Sequence, residues 1–237
     1  MSYKLFRRRV ALWILTTMFL VLAFRGFAQY TNGIYAEFNT SMGSYTCVLN
    51  SAESPKAVAN FIGLATGQKA WLDLPSGIIK TNPFYNGITF HRVVTNFVIQ
   101  AGSPNGVGTD GPGYAFVDEI TNTLQFNKFG VLAMANSGPD SNGSQFFVLA
   151  TNSYPSLNNG YTIFGSLYGG SNVIYAINHV ATDANSKPLT DVYINSVNIQ
   201  RIGAAATPID ITAPGLPVVT NLNLAIAQAG THVSLTF

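Results

Sequence analysis

Residues 90–104 read FHRVVTNFVIQAGSP and contain two apolar, strand-forming runs, each of which holds one strongly polar side chain. Arg92 lies in the first run and Gln100 lies at the end of the second. Isolated polar groups in apolar surroundings need hydrogen-bond partners. We therefore expect the two side chains to pair and to leave guanidinium donors facing a concave apolar surface. The pattern equally allows a structural arginine that ties down loop carbonyl groups.

The sequence before this stretch predicts a β-hairpin followed by a helix. Residues 34–38 and 45–49 alternate between apolar and polar side chains around a turn that contains Gly43, which is typical of a hairpin. Ser54 precedes a proline and is a candidate N-cap, and Gly67 is a candidate C-terminal stop. A helix of about three turns is the expected result.

The sequence after this stretch predicts a second helix and a closing strand. Ser171 and Asn172 are candidate caps for a helix that runs to about residue 180, and residues 192–199 are typical of a strand. Most of the remaining chain consists of short strand-like runs and glycine-rich loops. The pattern favours a mainly β fold, a closed antiparallel barrel with helices covering its ends.

The N-terminus has the pattern of a targeting segment. Residues 4–9 contain four basic side chains and residues 10–24 are almost continuously apolar, with small residues before a cleavage site at Gln29. These features predict a signal peptide over residues 1–28 and export to the periplasm or the cell exterior. Arg25 weakens the cleavage prediction, and the alternative is an uncleaved anchor, which would be the protein's one association with a membrane.

The C-terminal part differs in composition from the rest of the chain. Residues 203–217 are rich in alanine, proline and glycine and predict a linker after a domain at residues 29–202. Residues 218–237 alternate again and predict the start of a truncated β-rich module. A two-stranded hairpin alone is marginal in water, so this segment would need further chain to pack against.

Charge and cysteine content exclude several classes of function. Only 9% of the residues are charged, and four of the 12 lysines and arginines lie in the first nine residues. The rest of the chain has no basic face for nucleic acid. The single cysteine, Cys47, excludes an internal disulfide framework and a cysteine-based zinc cluster. Stability must therefore come from packing.

Four blocks resemble the signature segments of the cyclophilins, in the order and spacing of that family. They are residues 90–93, 97–104, 130–147 (GVLAMANSGPDSNGSQFF) and 157–165 (LNNGYTIFG). The resemblance covers residues 33–202. It implies an eight-stranded barrel capped by two helices and peptidyl-prolyl cis-trans isomerase activity on proline-containing polypeptides. It also implies a monomer that needs neither a metal nor a cofactor.

The resemblance assigns roles to individual residues. The family's catalytic arginine falls on Arg92, and the glutamine that supports it falls on Gln100. The predicted substrate-binding residues are Phe97, Val98, Ala135, Asn136, Gln145, Phe147, Leu157 and Tyr161. Three positions depart from the usual pattern, since Val98 replaces methionine, Tyr161 replaces histidine and Ser156 replaces tryptophan. Cyclosporin binding in the family relies on that tryptophan, so we expect this chain to bind cyclosporin weakly.

Other motifs have simpler interpretations. Residues 106–111 fit G-x-G-x-x-G, but a dinucleotide site needs a strand before this motif and a helix after it, and here a proline and a glycine follow. A surface loop beside the groove is therefore expected. We interpret His91 as a core histidine with a satisfied ring. Glu119 and the aspartate before it are expected to anchor a loop, and the sequon at residues 142–144 is expected to carry no glycan.

Two functional classes remain open on the sequence alone. The first is an enzyme that accelerates rotation about X-Pro bonds in exported or folding polypeptides. The second is a proline-peptide-binding module or chaperone with little turnover. Arg92 favours the enzyme, because a module that only binds would not need the catalytic arginine.

Overall fold

The computed structural model describes residues 30–206, 210 and 216–217. The predicted signal peptide, most of the predicted linker and the predicted C-terminal module lie outside the described residues. Within them, no helix is long and apolar enough to cross a membrane.

The described chain contains eleven short strands. In chain order they are β1 Gly33–Thr40, β2 Gly43–Leu49, β3 Trp71–Asp73, β4 Ile78–Lys80, β5 Ile88–Thr89, β6 Arg92–Val94, β7 Val98–Ala101, β8 Val131–Met134, β9 Phe146–Leu149, β10 Ile163–Gly169 and β11 Tyr193–Ile202. Nine of them form one antiparallel sheet in the order β5-β11-β1-β2-β10-β8-β9-β7-β6, and β3 and β4 form a separate ribbon.

The prediction of a mainly β, antiparallel fold with two helices is confirmed, with nine strands in the main sheet where the resemblance implied eight. The edge strands β5 and β6 are separated along the chain by only Phe90 and His91. No ladder joins these two strands within the described residues. Instead, the Phe90 N–H donates to the Val192 carbonyl at 2.9 Å and the Val93 N–H donates to the Ser186 carbonyl at 2.7 Å.

The first helix, α1 (Pro55–Thr66), begins and ends where the sequence predicts. Ser54 is the N-cap residue and Gly67 adopts a left-handed φ of 73° at the C-cap. The Ser54 hydroxyl, however, donates to the Ile163 carbonyl at 2.7 Å. The Glu119 carboxylate takes over the capping role, since it accepts the N–H groups of Lys56 and Ala57 at 3.0 and 2.9 Å. A negative group at this helix end is also favoured by the helix dipole.

The second helix, α2 (Ser171–Asn178), is shorter than the sequence suggested. Gly170 is its N-cap residue, so the predicted caps Ser171 and Asn172 lie inside the first turn. Val173 and Ile177 are buried as expected. Val180 lies beyond the helix but still packs against the core. The helix packs on β6 and β7, the strands that carry Arg92 and Gln100.

Buried side chains form two clusters, one on each face of the sheet around β7, β8 and β9. Inner residues such as Ile99 and Phe146 belong to the main core. Outer residues such as Val98 and Phe147 belong to a second cluster, which the chain after β7 partly covers. Successive strand residues point to opposite faces, so burial on both faces explains the nearly continuous apolar runs of these strands. The single cysteine, Cys47, is fully buried in the main core, and burial raises the pKa of its thiol.

The described end of the chain returns to the barrel. Leu216 is only 6% exposed and belongs to the main core. The neighbouring Pro217 carbonyl accepts a hydrogen bond from the Lys69 ammonium group, which also lies 4.9 Å from the centre of the Tyr114 ring. Burial lowers the pKa of Lys69. A segment that the sequence indicates as a linker thus contributes at least one core side chain.

Candidate active site

The register of three neighbouring strands sets Arg92, Gln100 and Phe147 side by side. Arg92 on β6 pairs with Gln100 on β7, and Gln100 pairs with Phe147 on β9. Directly paired residues in an antiparallel sheet present their side chains on the same face. The strand pairing alone therefore places a cation, an amide and an aromatic ring in one row on the outer face of the sheet.

Nine of the ten predicted site residues line one groove with a volume of about 150 Å³. They are Arg92, Phe97, Val98, Gln100, Ala135, Asn136, Phe147, Leu157 and Tyr161. The tenth residue, Gln145, lies beside the groove and bonds to Gln100. Ser156 does not line the groove, although it lies next to Leu157 in the same 3-10 turn (Pro155–Leu157).

A chain of hydrogen bonds fixes the polar side of the groove. An Arg92 Nη1–H donates to Gln100 Oε1 at 3.2 Å, and Gln100 Nε2 donates to Gln145 Oε1 at 3.1 Å. Gln145 Nε2 in turn donates to the carbonyl oxygens of Gly108 and Asp110 at 3.0 and 2.9 Å. Both glutamine amides are thereby held in one orientation. Among the described residues no carboxylate pairs with Arg92, so most of its N–H donors are available to a ligand.

Aromatic rings fix the apolar side of the groove. Phe147 stacks on the fully buried Phe126 at a centroid distance of 5.7 Å, and Tyr161 and Phe147 form a T-shaped pair with centroids 5.3 Å apart. Phe97 packs against Tyr154 at 4.5 Å. Sequence reasoning missed Phe126, which supports Phe147 from within the fold, and Tyr154, an exposed ring that contacts Phe97. Both residues lie outside the strands, where no periodic pattern could have indicated these contacts.

The backbone at Ala135 and Asn136 forms another part of the groove rim. The Ala135 N–H donates to the Gln145 carbonyl at 2.9 Å, so this N–H belongs to the fold and is not available to a substrate. The Asn136 side chain donates to the Gly160 carbonyl at 2.9 Å. The Asn136 backbone N–H and C=O have no partner among the described residues. They are the groups on this rim that can pair with an extended peptide.

The glycine-rich loop at residues 106–111 has no helix after it, in agreement with the expectation of a loop beside the groove. Its structural contribution is the pair of carbonyl oxygens that hold Gln145. Inside the predicted sequon, Asn142 is fully buried and its amide donates to Asp118 at 2.8 Å. The acceptor nitrogen is therefore not exposed for glycosylation.

The expectation of a satisfied ring for His91 is wrong. The residue is buried, as predicted, but neither ring nitrogen has a hydrogen-bond partner among the described residues. Burial, together with the charge of Arg92, lowers its pKa from 6.5 to about 4, and Asp110 and the Gln145 side chain oppose this shift only in part. The ring packs tightly against Gly108, where an added Cβ would lie 3.0 Å from it. His91 is thus a neutral packing group beneath the loop that orients Gln145.

Comparison with known proteins identifies the family. Residues 35–199 match the family described as cyclophilin type peptidyl-prolyl cis-trans isomerase/CLD. The chain belongs to this family. This cyclophilin is 44% identical over 166 residues to peptidyl-prolyl cis-trans isomerase A of Mycobacterium tuberculosis (strain ATCC 25618 / H37Rv), a match that covers 69% of this chain and 91% of the relative. It is 43% identical over 170 residues to peptidyl-prolyl cis-trans isomerase B of Streptomyces anulatus, covering 70% and 97% of the two chains.

Solved structures show the same fold. The crystal structure of a cyclophilin type peptidyl-prolyl cis-trans isomerase of Cryptosporidium parvum matches this cyclophilin with a TM-score of 0.63 at 30% identity, over 73% of this chain and all of the other. A second structure of that protein, determined in the presence of the dipeptide Ala-Pro, matches with a TM-score of 0.61 at 31% identity, over 71% of this chain and 99% of the other. The protein is therefore an isomerase of the cyclophilin type.

The buried, neutral His91 predicts a pH dependence of stability. Between pH 4 and 6.5 the unfolded chain binds a proton at this position and the folded chain does not. The free energy of unfolding should therefore rise with pH in this interval, by up to about 1.4 kcal/mol per pH unit from this group. Urea unfolding of the wild type and of His91→Gln at pH 4.5 and 7 measures the contribution. The variant should show the smaller difference between the two pH values, and equal differences would contradict the assignment.

Proposed function

We propose that this cyclophilin accelerates rotation about X-Pro bonds in exported polypeptides and that Arg92 is its catalytic residue. The observation that supports this role most directly is the position of the Arg92 guanidinium group. It is held by Gln100 at the edge of an apolar groove and has no carboxylate partner among the described residues. A cation in this position can act on a substrate backbone without competition from a neighbouring anion.

The reaction explains why such a site suffices. Amide resonance gives the X-Pro bond a rotational barrier of roughly 20 kcal/mol, and uncatalysed isomerisation takes tens to hundreds of seconds. No covalent bond has to break. In the twisted state the nitrogen regains its lone pair and can accept a hydrogen bond, which Arg92 donates. Each 1.4 kcal/mol or so of preferential stabilisation of this state gives a tenfold increase in rate.

The other groove residues hold the substrate while the bond rotates. Phe97, Val98, Phe147, Leu157 and Tyr161 provide an apolar pocket for the proline ring. The Asn136 backbone binds the peptide at the groove rim, which keeps one side of the rotating bond fixed. Gln100 and Gln145 keep the guanidinium group aimed at the pocket. A fixed donor needs no reorganisation when the twisted state forms, and this is the main source of electrostatic catalysis.

Replacing Arg92 tests the proposed role. Arg92→Ala should lower kcat/KM for a short Ala-Pro peptide by about a hundredfold, the usual effect of removing one preorganised donor. Arg201→Ala is the matched control, because Arg201 lies on β11 and does not line the groove. It should retain the wild-type rate. Circular dichroism shows whether each variant is folded.

The same assay separates the enzyme from a binding module. A wild-type protein that binds the peptide but does not accelerate its isomerisation would show that the groove only recognises proline. A folded Arg92→Ala variant with wild-type activity would show instead that catalysis does not depend on this residue.

We also propose weak cyclosporin binding, because Ser156 occupies the position of the family's tryptophan. Ser156 is an exposed residue of a 3-10 turn and adds no apolar surface to the groove. Ser156→Trp should tighten cyclosporin binding by about tenfold or more, since burying a large aromatic side chain contributes on the order of 2 kcal/mol. Isothermal titration of both proteins measures the difference. Tight binding by the wild type would contradict the proposal.

Export is supported by the basic and then apolar pattern of the first 28 residues and by the scarcity of charged side chains. We expect a mature chain that begins at Gln29 and acts in the periplasm or outside the cell. Mass spectrometry of the protein purified from its native source measures the N-terminus. A chain that retains residues 1–28 would favour the uncleaved membrane anchor.

A further inference from the structure

Asn178, the last residue of α2, is fully buried and bonds to the turn that joins β6 to β7. Its Oδ1 accepts the N–H of Asn96 at 2.7 Å. Its Nδ2 donates to the carbonyl oxygens of Val94 and Val98, at 2.8 and 3.2 Å. One side chain thus contacts the last residue of β6, the middle of the turn and the first residue of β7.

The tip of this turn has few other restraints. Asn96 has a φ of 57°, in the left-handed region, which asparagine adopts more readily than other side-chain-bearing residues. Asn96 and the threonine before it are exposed, so packing does not hold them. The turn's own backbone contributes one bond, from the Phe97 N–H to the Val94 carbonyl at 3.0 Å. The β6–β7 ladder ends at the Val94–Val98 pair, and the three bonds to Asn178 add to it the restraints that hold the tip of the turn.

The clamped turn carries residues from both sides of the groove. Arg92 lies two residues before Val94 on β6, and Gln100 lies two residues after Val98 on β7. Phe97 and Val98 in the turn and at its end form part of the apolar pocket. A shift of this hairpin would therefore move the guanidinium donor and part of the proline pocket together.

An asparagine side chain matches this set of partners. It offers one acceptor for the N–H group and two donors for the two carbonyl oxygens, and all three are used. An apolar residue would leave three polar backbone groups without these bonds, and such groups are costly when buried. An aspartate would retain the acceptor but lose the donors.

We propose that Asn178 is a positioning residue for isomerisation, which fixes the β6–β7 hairpin and hence the distance between Arg92 and the proline pocket. The inference rests on the proposed role of the Arg92 groove. Asn178 does not line the groove, so a substrate bound there would not contact it. Its effect reaches the reaction through the hairpin, so it should appear in kcat/KM and in the dynamics of the turn.

The test compares Asn178→Ala with Val173→Ala. Val173 lies at the other end of the same helix, where its side chain packs against Gly43 in the β1–β2 turn. Both variants loosen α2, but only the first removes the clamp. At a temperature where both are folded, Asn178→Ala should lower kcat/KM for the Ala-Pro peptide by about ten- to a hundredfold, as expected for a small misplacement of catalytic groups. The kcat/KM of Val173→Ala should stay within about twofold of the wild-type value, because a packing change at a distance from the groove does not move the groove residues.

Hydrogen exchange at the Asn96 amide provides a second readout. Its protection should be lost in Asn178→Ala and retained in Asn178→Asp, which keeps the acceptor of this N–H. Asn178→Leu preserves the side-chain volume without burying a charge and removes all three bonds, so it replaces Asn178→Ala in the kinetic comparison if the alanine variant does not fold. Equal kcat/KM for the clamp variant and Val173→Ala would overturn the inference.

A double-mutant cycle with Arg92→Ala distinguishes the inference from the proposed function. If Asn178 acts through the position of Arg92, its substitution should cost less than about threefold once Arg92 is absent, because the two effects are not additive. Full additivity would overturn this route of action. Wild-type activity of Arg92→Ala alone would overturn the proposed function. In that case Asn178→Ala against Val173→Ala still decides the inference, since the clamp also places Phe97 and Val98.

Discussion

The pairing of Arg92 with Gln100 across β6 and β7 is the constraint on which the site depends. A guanidinium group in apolar surroundings loses hydration and needs fixed partners. Gln100 supplies one bond, and its other end is fixed by Gln145, whose amide is held by two loop carbonyl groups. The chain of bonds contains no second charge. Arg92 therefore points in a defined direction, and no carboxylate among the described residues offsets the positive charge that it presents to the groove.

Only the pairing of Arg92 with Gln100 could be expected from the residues themselves, and the other eight site residues were assigned through the resemblance to the cyclophilins. Strand register converts a sequence separation into a spatial one, so Arg92 and Gln100 can be paired from their apolar neighbours alone. The helix α1 was predictable for a similar reason, since its cap residues have local signals. Phe126 and Asn178 were not predictable in this way. Their roles depend on which distant loop or turn they contact, and neither residue has a local signal for that contact.

His91 is buried, as predicted, but the expectation that its ring nitrogens have hydrogen-bond partners is wrong. An apolar run indicates that a residue is buried, but it does not show whether a partner lies within reach. The chain places Gly108 against the ring at a distance that leaves no room for a side chain. Burial without a partner keeps the ring neutral, as its lowered pKa shows. A neutral ring does not repel the charge of the neighbouring Arg92. The unpaired histidine should therefore lower the free energy of unfolding without disturbing the groove.

The chain after β11 is a second place where the sequence pattern did not show a specific contact. Composition indicates a linker there, because small residues and prolines are poor formers of regular structure. Leu216 is nevertheless a member of the main core. A single buried apolar residue produces no periodic pattern in the sequence, so composition could not indicate this contact. Lys69 adds a second attachment, since its partly buried ammonium group needs an acceptor and the Pro217 carbonyl provides one. Tyr114, over which this ammonium group lies, also donates to Asn60, and Asn60 donates to the Gly143 carbonyl two residues before Gln145. The packing of residues 216–217 is therefore connected, through the side chains of Lys69, Tyr114 and Asn60, to the segment that orients Gln145.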